Sequence, residues 1–152
     1  MIKKLLVIEC LNINDWYNKV RNDKNKLNGL SVSTLWALRK NMKKIAETVD
    51  SFNEFKSSLE NELQEEFFND EKSEEIIVKD DEGKEIPARK IKEKYFDEYQ
   101  NKINELNKKL NELVLTKENY DFTSINMDEE IKKINSDCNL NMDDLDILSI
   151  FE

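Results

Sequence analysis

Histidine is absent from this 152-residue chain, and with it the commonest general base and zinc or haem ligand. Serine-type triads, zinc hydrolases and haem ligation through His are thereby excluded. Glycine is nearly absent as well: Gly29 and Gly83 are the only two, so no glycine-rich phosphate cradle can be assembled. One proline (Pro87) and two glycines leave few turns, and hydrophobic residues reach only 38%, below the roughly 45–50% of an ordinary globule. No run approaches the ~18–20 apolar residues of a membrane span, so no membrane association is expected. The length suits a single domain, 1–152, with a thin core.

What is abundant is charge, at 38% of residues, with a formal net of −9. Cys10 and Cys138 are two thiols in a Lys/Glu-rich chain, which fits a reducing compartment better than a disulfide scaffold. Met1–Lys4 followed by Leu5–Ile8 has the look of a signal peptide, but Glu9 interrupts a short apolar run that has no small-residue cleavage site. A cytosolic protein is therefore expected.

Residues 4–11 are apolar and β-branched in the middle and are read as a strand. Residues 14–27 carry a weak helical pattern that ends at the Asn28-Gly29 turn signal. From Ser33, taken as the N-cap, Leu35, Leu38, Met42, Ile45, Val49, Phe52, Leu59, Leu63 and Phe67 recur mostly three and four apart. This predicts a helix over 33–68, on the order of 50 Å long. Residues 74–87 form an acidic connection, two β arms around Asp80-Asp81-Glu82-Gly83. A second helix is predicted over 88–115, with Ile91, Tyr95, Tyr99, Ile103, Leu106, Leu110 and Leu113 on one stripe. The fold class is thus mostly α: a long antiparallel, coiled-coil-like helical hairpin with a short β element at the N-terminus or hairpin tip. The acidic tail, 117–152, reads as an extended Tyr120–Phe122, a short helix near 128–135 and a last helix over 142–150.

The charge is segregated. Residues 1–59 carry 11 basic and 6 acidic groups, 60–85 carry 3 and 12, 86–117 carry 8 and 5, and 118–152 carry 2 and 10. An antiparallel hairpin puts the acidic connection at its tip and Arg39, Lys40, Lys43, Lys44, Lys108, Lys109 and Lys117 at its base. The tail is then placed to fold back on that base, leaving the tip to recognise a basic partner. Glu62, Glu65, Glu66, Asp70, Asp80, Asp81 and Glu82 are the candidate partner-binding residues. Phe52, Phe55, Phe67 and Phe68 lack obvious cover within the chain, which favours a homodimer.

Other chemistry finds little footing. Glu82-Gly83-Lys84 has the acid-x-Lys form some metal-dependent nucleases use, but it lies in a turn and is expected by chance in so charged a chain. Neither Asp80–Gly83 nor Asn139–Asp143 fits a calcium loop: counting back from Gly83 puts Val78 at position 1, and Asp144 stands where the second segment needs glycine. Lys19, Arg21, Lys24 and Lys26 beside Trp16 and Tyr17 make a weak nucleic-acid signature, and Trp16, Tyr17 and Trp36 are read as core. An acidic rod that imitates a phosphate backbone is the converse reading. No catalytic residue, cofactor, metal or direct nucleic-acid contact is expected.

The Leu30 to Leu38 helix opening with Arg39-Lys40-Asn41, the Phe52-x2-Phe55 stretch, Asp80-Asp81-Glu82-Gly83-Lys84, Tyr99-x6-Leu106-x3-Leu110-Asn111-Glu112-Leu113 and the ending Leu145–Phe151 resemble a family of uncharacterised small proteins of tailed bacteriophages of low-GC Gram-positive bacteria. The likeness runs from Leu27 to Phe151 and carries no catalytic residues over. It implies a phage protein expressed in the bacterial host cytoplasm. The expectation is a non-enzymatic phage accessory protein that binds and inhibits or redirects a host protein, a class that includes inhibitors of CRISPR and other defence systems. Its partner is a host or phage protein, for instance a nucleic-acid-binding effector. The alternative is a phage assembly or virion-associated protein that self-associates through its helices.

Overall fold

The computed structural model describes residues 1–133 and 140–152; Cys138 lies outside them. The chain is mostly helical, with two small antiparallel two-stranded sheets. It packs as two compact units, one built from residues 1–52 and 114–152, the other from residues 53–113.

In the first unit, β1 (Ile2–Leu6) leads directly into α1 (Val7–Val20). The strand expected over 4–11 therefore ends at Leu6. The Glu9 carboxylate reaches back to accept the Leu6 N–H at 2.6 Å, one half of a capping box, and so starts a helix inside the apolar run. After the one-turn α2 (Lys24–Leu27) comes α3 (Val32–Phe67), 36 residues long. Its N-cap is Ser31, two residues before the expected Ser33: the Ser31 hydroxyl accepts the Thr34 N–H at 3.3 Å. Beyond residue 114 the chain supplies β4 (Lys117–Asp121), α5 (Met127–Lys133) and α6 (Met142–Ser149). Strand β4 pairs antiparallel with β1, from Ile2 opposite Asp121 to Leu6 opposite Lys117.

Leu38, Met42, Ile45 and Val49 on one face of α3, Cys10 and Ile13 of α1, and Tyr120, Phe122, Ile125, Leu148 and Phe151 are all buried together. Phe122 stacks parallel on Tyr120 at 5.2 Å and meets Phe151 edge-on at 5.0 Å. Each such side chain contributes ~1.5–3 kcal/mol by leaving water. Within this apolar stripe Asn41 is fully buried, yet its side-chain amide donates to the Thr123 carbonyl and accepts the Thr123 N–H, both at 2.8 Å. It thereby reads the loop after β4 as another strand would.

The second unit begins within α3 and holds the hairpin of β2 (Ser73–Lys79) and β3 (Glu85–Ile91), a single 3₁₀ turn (Glu93–Tyr95) and α4 (Phe96–Val114) up to residue 113. The helix expected from residue 88 starts eight residues later, because β3 must match β2 residue for residue from Glu85 opposite Lys79 to Ile91 opposite Ser73. Asn69 ends α3: its amide donates to the Glu65 and Glu66 carbonyls and accepts the Glu71 and Lys72 N–H groups. Phe67, expected to lack cover within the chain, is fully buried, with Tyr99 edge-on at 5.2 Å and the Lys72 ammonium 4.9 Å from its ring centre. Phe55 stays 46% exposed, and Leu59, Leu63, Leu106, Leu110 and Leu113 are half-buried. Leu59, Leu63 and Leu106 line one narrow groove. No helix among the described residues is long and apolar enough to cross a membrane.

Candidate functional site

The seven acidic residues singled out above all fall in the second unit, in two clusters. Glu62, Glu65 and Glu66 occupy successive turns of α3 and are exposed. Glu62 and Glu65 share an open polar face with Asn53, Glu54, Ser57, Ser58 and Asn61. Glu66, with Glu62, also edges the leucine groove, where α4 presents Lys102 and Lys109. Asp70 follows the helix end and forms an ion pair with Arg89 at 3.0 Å. Asp80, Asp81 and Glu82 are carried away from it to the far end of the β2–β3 hairpin, about 20 Å along six strand steps.

The hairpin turn is built by its own chemistry. Gly83 has φ +78°, a left-handed conformation that glycine adopts without a Cβ penalty. The Asp80 carboxylate accepts the Glu82 N–H at 3.0 Å and the Lys84 N–H at 2.8 Å, so Asp80 shapes the turn and leaves Asp81 and Glu82 exposed. Of the seven, Glu62, Glu65, Glu66, Asp81 and Glu82 make no ion pair among the described residues; Asp70 and Asp80 are committed locally.

Three carboxylates of the tail are arranged otherwise. Glu130, on α5, is buried and accepts the Ser31 N–H at 2.9 Å, the Thr34 hydroxyl at 2.7 Å and the Ser31 hydroxyl, at the N-terminus of α3. A carboxylate there also meets the positive end of the helix dipole. Asp144, on α6, is buried and accepts from the Trp16 indole N–H and the Lys26 ammonium, both at 2.8 Å, and from the Asn141 N–H at 2.9 Å. Burial opposes its ionisation, but the bonds from Lys26, Asn141 and Trp16 outweigh that cost and hold the carboxyl below its ordinary value. The same bond raises Lys26. Asp121 is lowered by the hydrogen bond from the Met1 ammonium at 3.0 Å, and its carbonyl accepts from Lys44. Burial raises Cys10, whose Sγ lies 3.2 Å from the Tyr120 hydroxyl, and burial raises Tyr120 strongly; Thr48 closes that cluster at 2.6 Å.

One expectation about aromatic residues needs correction. Trp36, read as core, is 58% exposed, because the buried face of α3 runs through Thr34, Ala37, Leu38 and Asn41 and leaves residue 36 on the opposite side. Trp16, also read as core, does pack half-buried against the core, and it and Lys26 are both engaged by Asp144 rather than free for nucleic acid. The sequence reading missed Glu130, Asp144 and Asn41 as structural groups. Asn141 three residues before Asp144 was the one local signal, since the pair makes a reciprocal capping box. Among the described residues, no group of three or more Cys, Asp or Glu is placed to hold a metal ion. Comparison with known family models, with curated proteins and with solved structures finds no match to this chain.

Proposed function

We propose that this chain is a non-enzymatic binding protein that docks on a basic surface of another protein through the acidic face of its second unit. The observation that carries this reading is the division of labour among carboxylates. Glu130 and Asp144 are buried and spent on contacts inside the first unit, and the exposed Asp121 is paired with the Met1 ammonium, whereas Glu62, Glu65, Glu66, Asp81 and Glu82 face water without an ion pair among the described residues. Exposed charges of one sign repel, so such a cluster is retained at a cost unless a partner neutralises it. With the phage resemblance, the reading becomes a phage-encoded accessory protein in the host cytoplasm that inhibits or redirects a host protein. A nucleic-acid-binding effector, whose cleft already expects phosphates, is the partner class with the right charge.

The test is affinity capture from the lysate of a low-GC Gram-positive host, comparing wild type with a Glu62→Lys, Glu65→Lys, Glu66→Lys, Asp70→Lys variant. A partner retained by wild type and lost by the variant supports the reading, and its association should slow steeply as salt rises from about 50 to about 500 mM. Association unchanged by both the reversal and the salt overturns it. A second reading, an assembly protein whose α3 and α4 form a coiled-coil-like antiparallel hairpin that self-associates, draws on the exposed Phe55 and Phe96 and the half-buried leucines. Light scattering at tens of micromolar separates the two: a homodimer that survives the charge reversal and is lost in Phe55→Ala favours assembly.

A further inference from the structure

The first unit carries a surface of opposite character. A groove of about 800 Å³ runs between α1 and α3, and each side of it presents four side chains at the same spacing. From α1 and its C-cap come Asn14, Tyr17, Asn18 and Arg21; from α3 come Trp36, Arg39, Lys40 and Lys43. Both sets sit at i, i+3, i+4 and i+7, which places each on one helical face. In both, a cation four residues on lies over the ring: Arg21 is 5.9 Å from the centre of Tyr17, and the Lys40 ammonium is 5.4 Å from that of Trp36. Four cations thus converge on the groove, two of them among the three arginines of the chain. None of the four makes an ion pair among the described residues, and Asp50 is the one carboxylate in the lining.

We propose that this groove binds single-stranded nucleic acid. Single strands need cations spaced along a phosphate backbone, exposed π faces on which bases stack, and side-chain amides that reach base edges. Arg21, Arg39, Lys40 and Lys43 supply the first, the exposed Trp36 ring with the half-buried Tyr17 beside it the second, and Asn14 and Asn18 the third. A 58%-exposed tryptophan in water is otherwise unexplained by packing. An acidic peptide would meet the cations but would make little use of two rings and two amides. The net charge of −9 does not forbid binding, because a Debye length of ~8 Å at physiological ionic strength screens charges elsewhere on the chain. This surface is separate from the acidic face, and the two proposals stand or fall independently.

The experiment is fluorescence anisotropy of labelled oligo-dT and oligo-U of about 15 nucleotides with the full-length protein, titrated at several salt concentrations. Wild type should bind, with a slope of log K against log salt of about −3, as four phosphate contacts on a single strand require. Arg39→Glu with Lys40→Glu should abolish binding, and Trp36→Ala should weaken it at least about five-fold. All three residues are exposed, so both variants should melt like wild type, and Trp36→Ala decides the matter if the double reversal fails to fold. Lys108→Glu with Lys109→Glu, on α4, should leave binding unchanged. No binding of either oligonucleotide at about 50 mM salt overturns the proposal. So does equal loss in the α4 control, which would mean diffuse attraction, or preferential binding of poly-glutamate, which would make the groove a site for acidic protein.

Discussion

The two units use the same residue types for opposite purposes. Around the first core, two buried carboxylates are structural: Glu130 holds the start of α3 and Asp144 ties α6 to Trp16 and Lys26. In the second unit, the described residues include only three that are buried, Phe67, Ser73 and Ile91, and the acidic groups stay in water. An acidic residue is thus a stability element or a recognition element according to whether a donor is waiting in the fold. Counting charges along the chain does not separate the two cases.

The largest test of this contrast is in the cores. Ile45→Ala, at a fully buried position, should cost ~3–5 kcal/mol, while Leu106→Ala, half-buried on α4, should cost ~1 kcal/mol. Equal losses in chemical denaturation would mean that the second unit has a core of the same quality as the first.

Next in size is the carboxylate pair of cases. Asp144→Asn should cost ~2–3 kcal/mol, since it removes the charge from a buried acceptor of three hydrogen bonds, whereas Glu62→Gln should stay within ~0.5 kcal/mol. The pH dependence sharpens the point. The folded Asp144 carboxyl lies below its ordinary value, so its stabilisation is fully present above the unfolded value near ~3.9 and is lost as pH falls through the folded one. Wild type should therefore lose more stability than Asp144→Asn in an acid titration followed by circular dichroism. Matching acid limbs would remove Asp144 from the account. At the alkaline end, Tyr120 is raised, so its contribution holds below the ordinary tyrosine value near ~10 and is lost as pH rises from there through the folded value. Tyr120→Phe should flatten that limb.

Smaller again is Gly83→Ala. Nothing obstructs the added Cβ, so the expected ~1–2 kcal/mol comes from the left-handed backbone alone. It should speed amide exchange in β2 and β3 while leaving β1 and β4 unchanged. The least effect on stability is expected from the four-site reversal at Glu62, Glu65, Glu66 and Asp70. Its melting should stay near wild type, apart from the lost Asp70–Arg89 pair, worth ~0–1 kcal/mol at an exposed site.

Much of the architecture was legible along the chain. The 3.6-residue recurrence from Leu35 to Phe67 identified α3 to within a residue at each end, and Asp80–Gly83 identified the β2–β3 turn. The errors arose where one local signal outranked another. The apolar run at 7–11 read as strand although Glu9 could cap a helix there, and residues 88–91 continued a helical stripe although strand pairing claimed them. Trp36 was placed inside on residue type, when its position between Leu35 and Ala37 put it on the outer face.

Periodicity, turn chemistry and charge blocks depend on neighbours a few residues apart, and these sufficed for the helices, the hairpin and the uneven distribution of charge. Pairing across the chain was beyond their reach. Ser31 meets Glu130 at a separation of 99 residues, Lys26 meets Asp144 at 118, and β1 finds β4 at the other end of the chain. Those encounters determine which acids are neutralised and which remain free. They also decide that Tyr17 and Trp36, on helices separated by a turn signal in the chain, face one groove. A side chain's composition and spacing state what it can bind, but only the packed fold states whether that capacity has already been used.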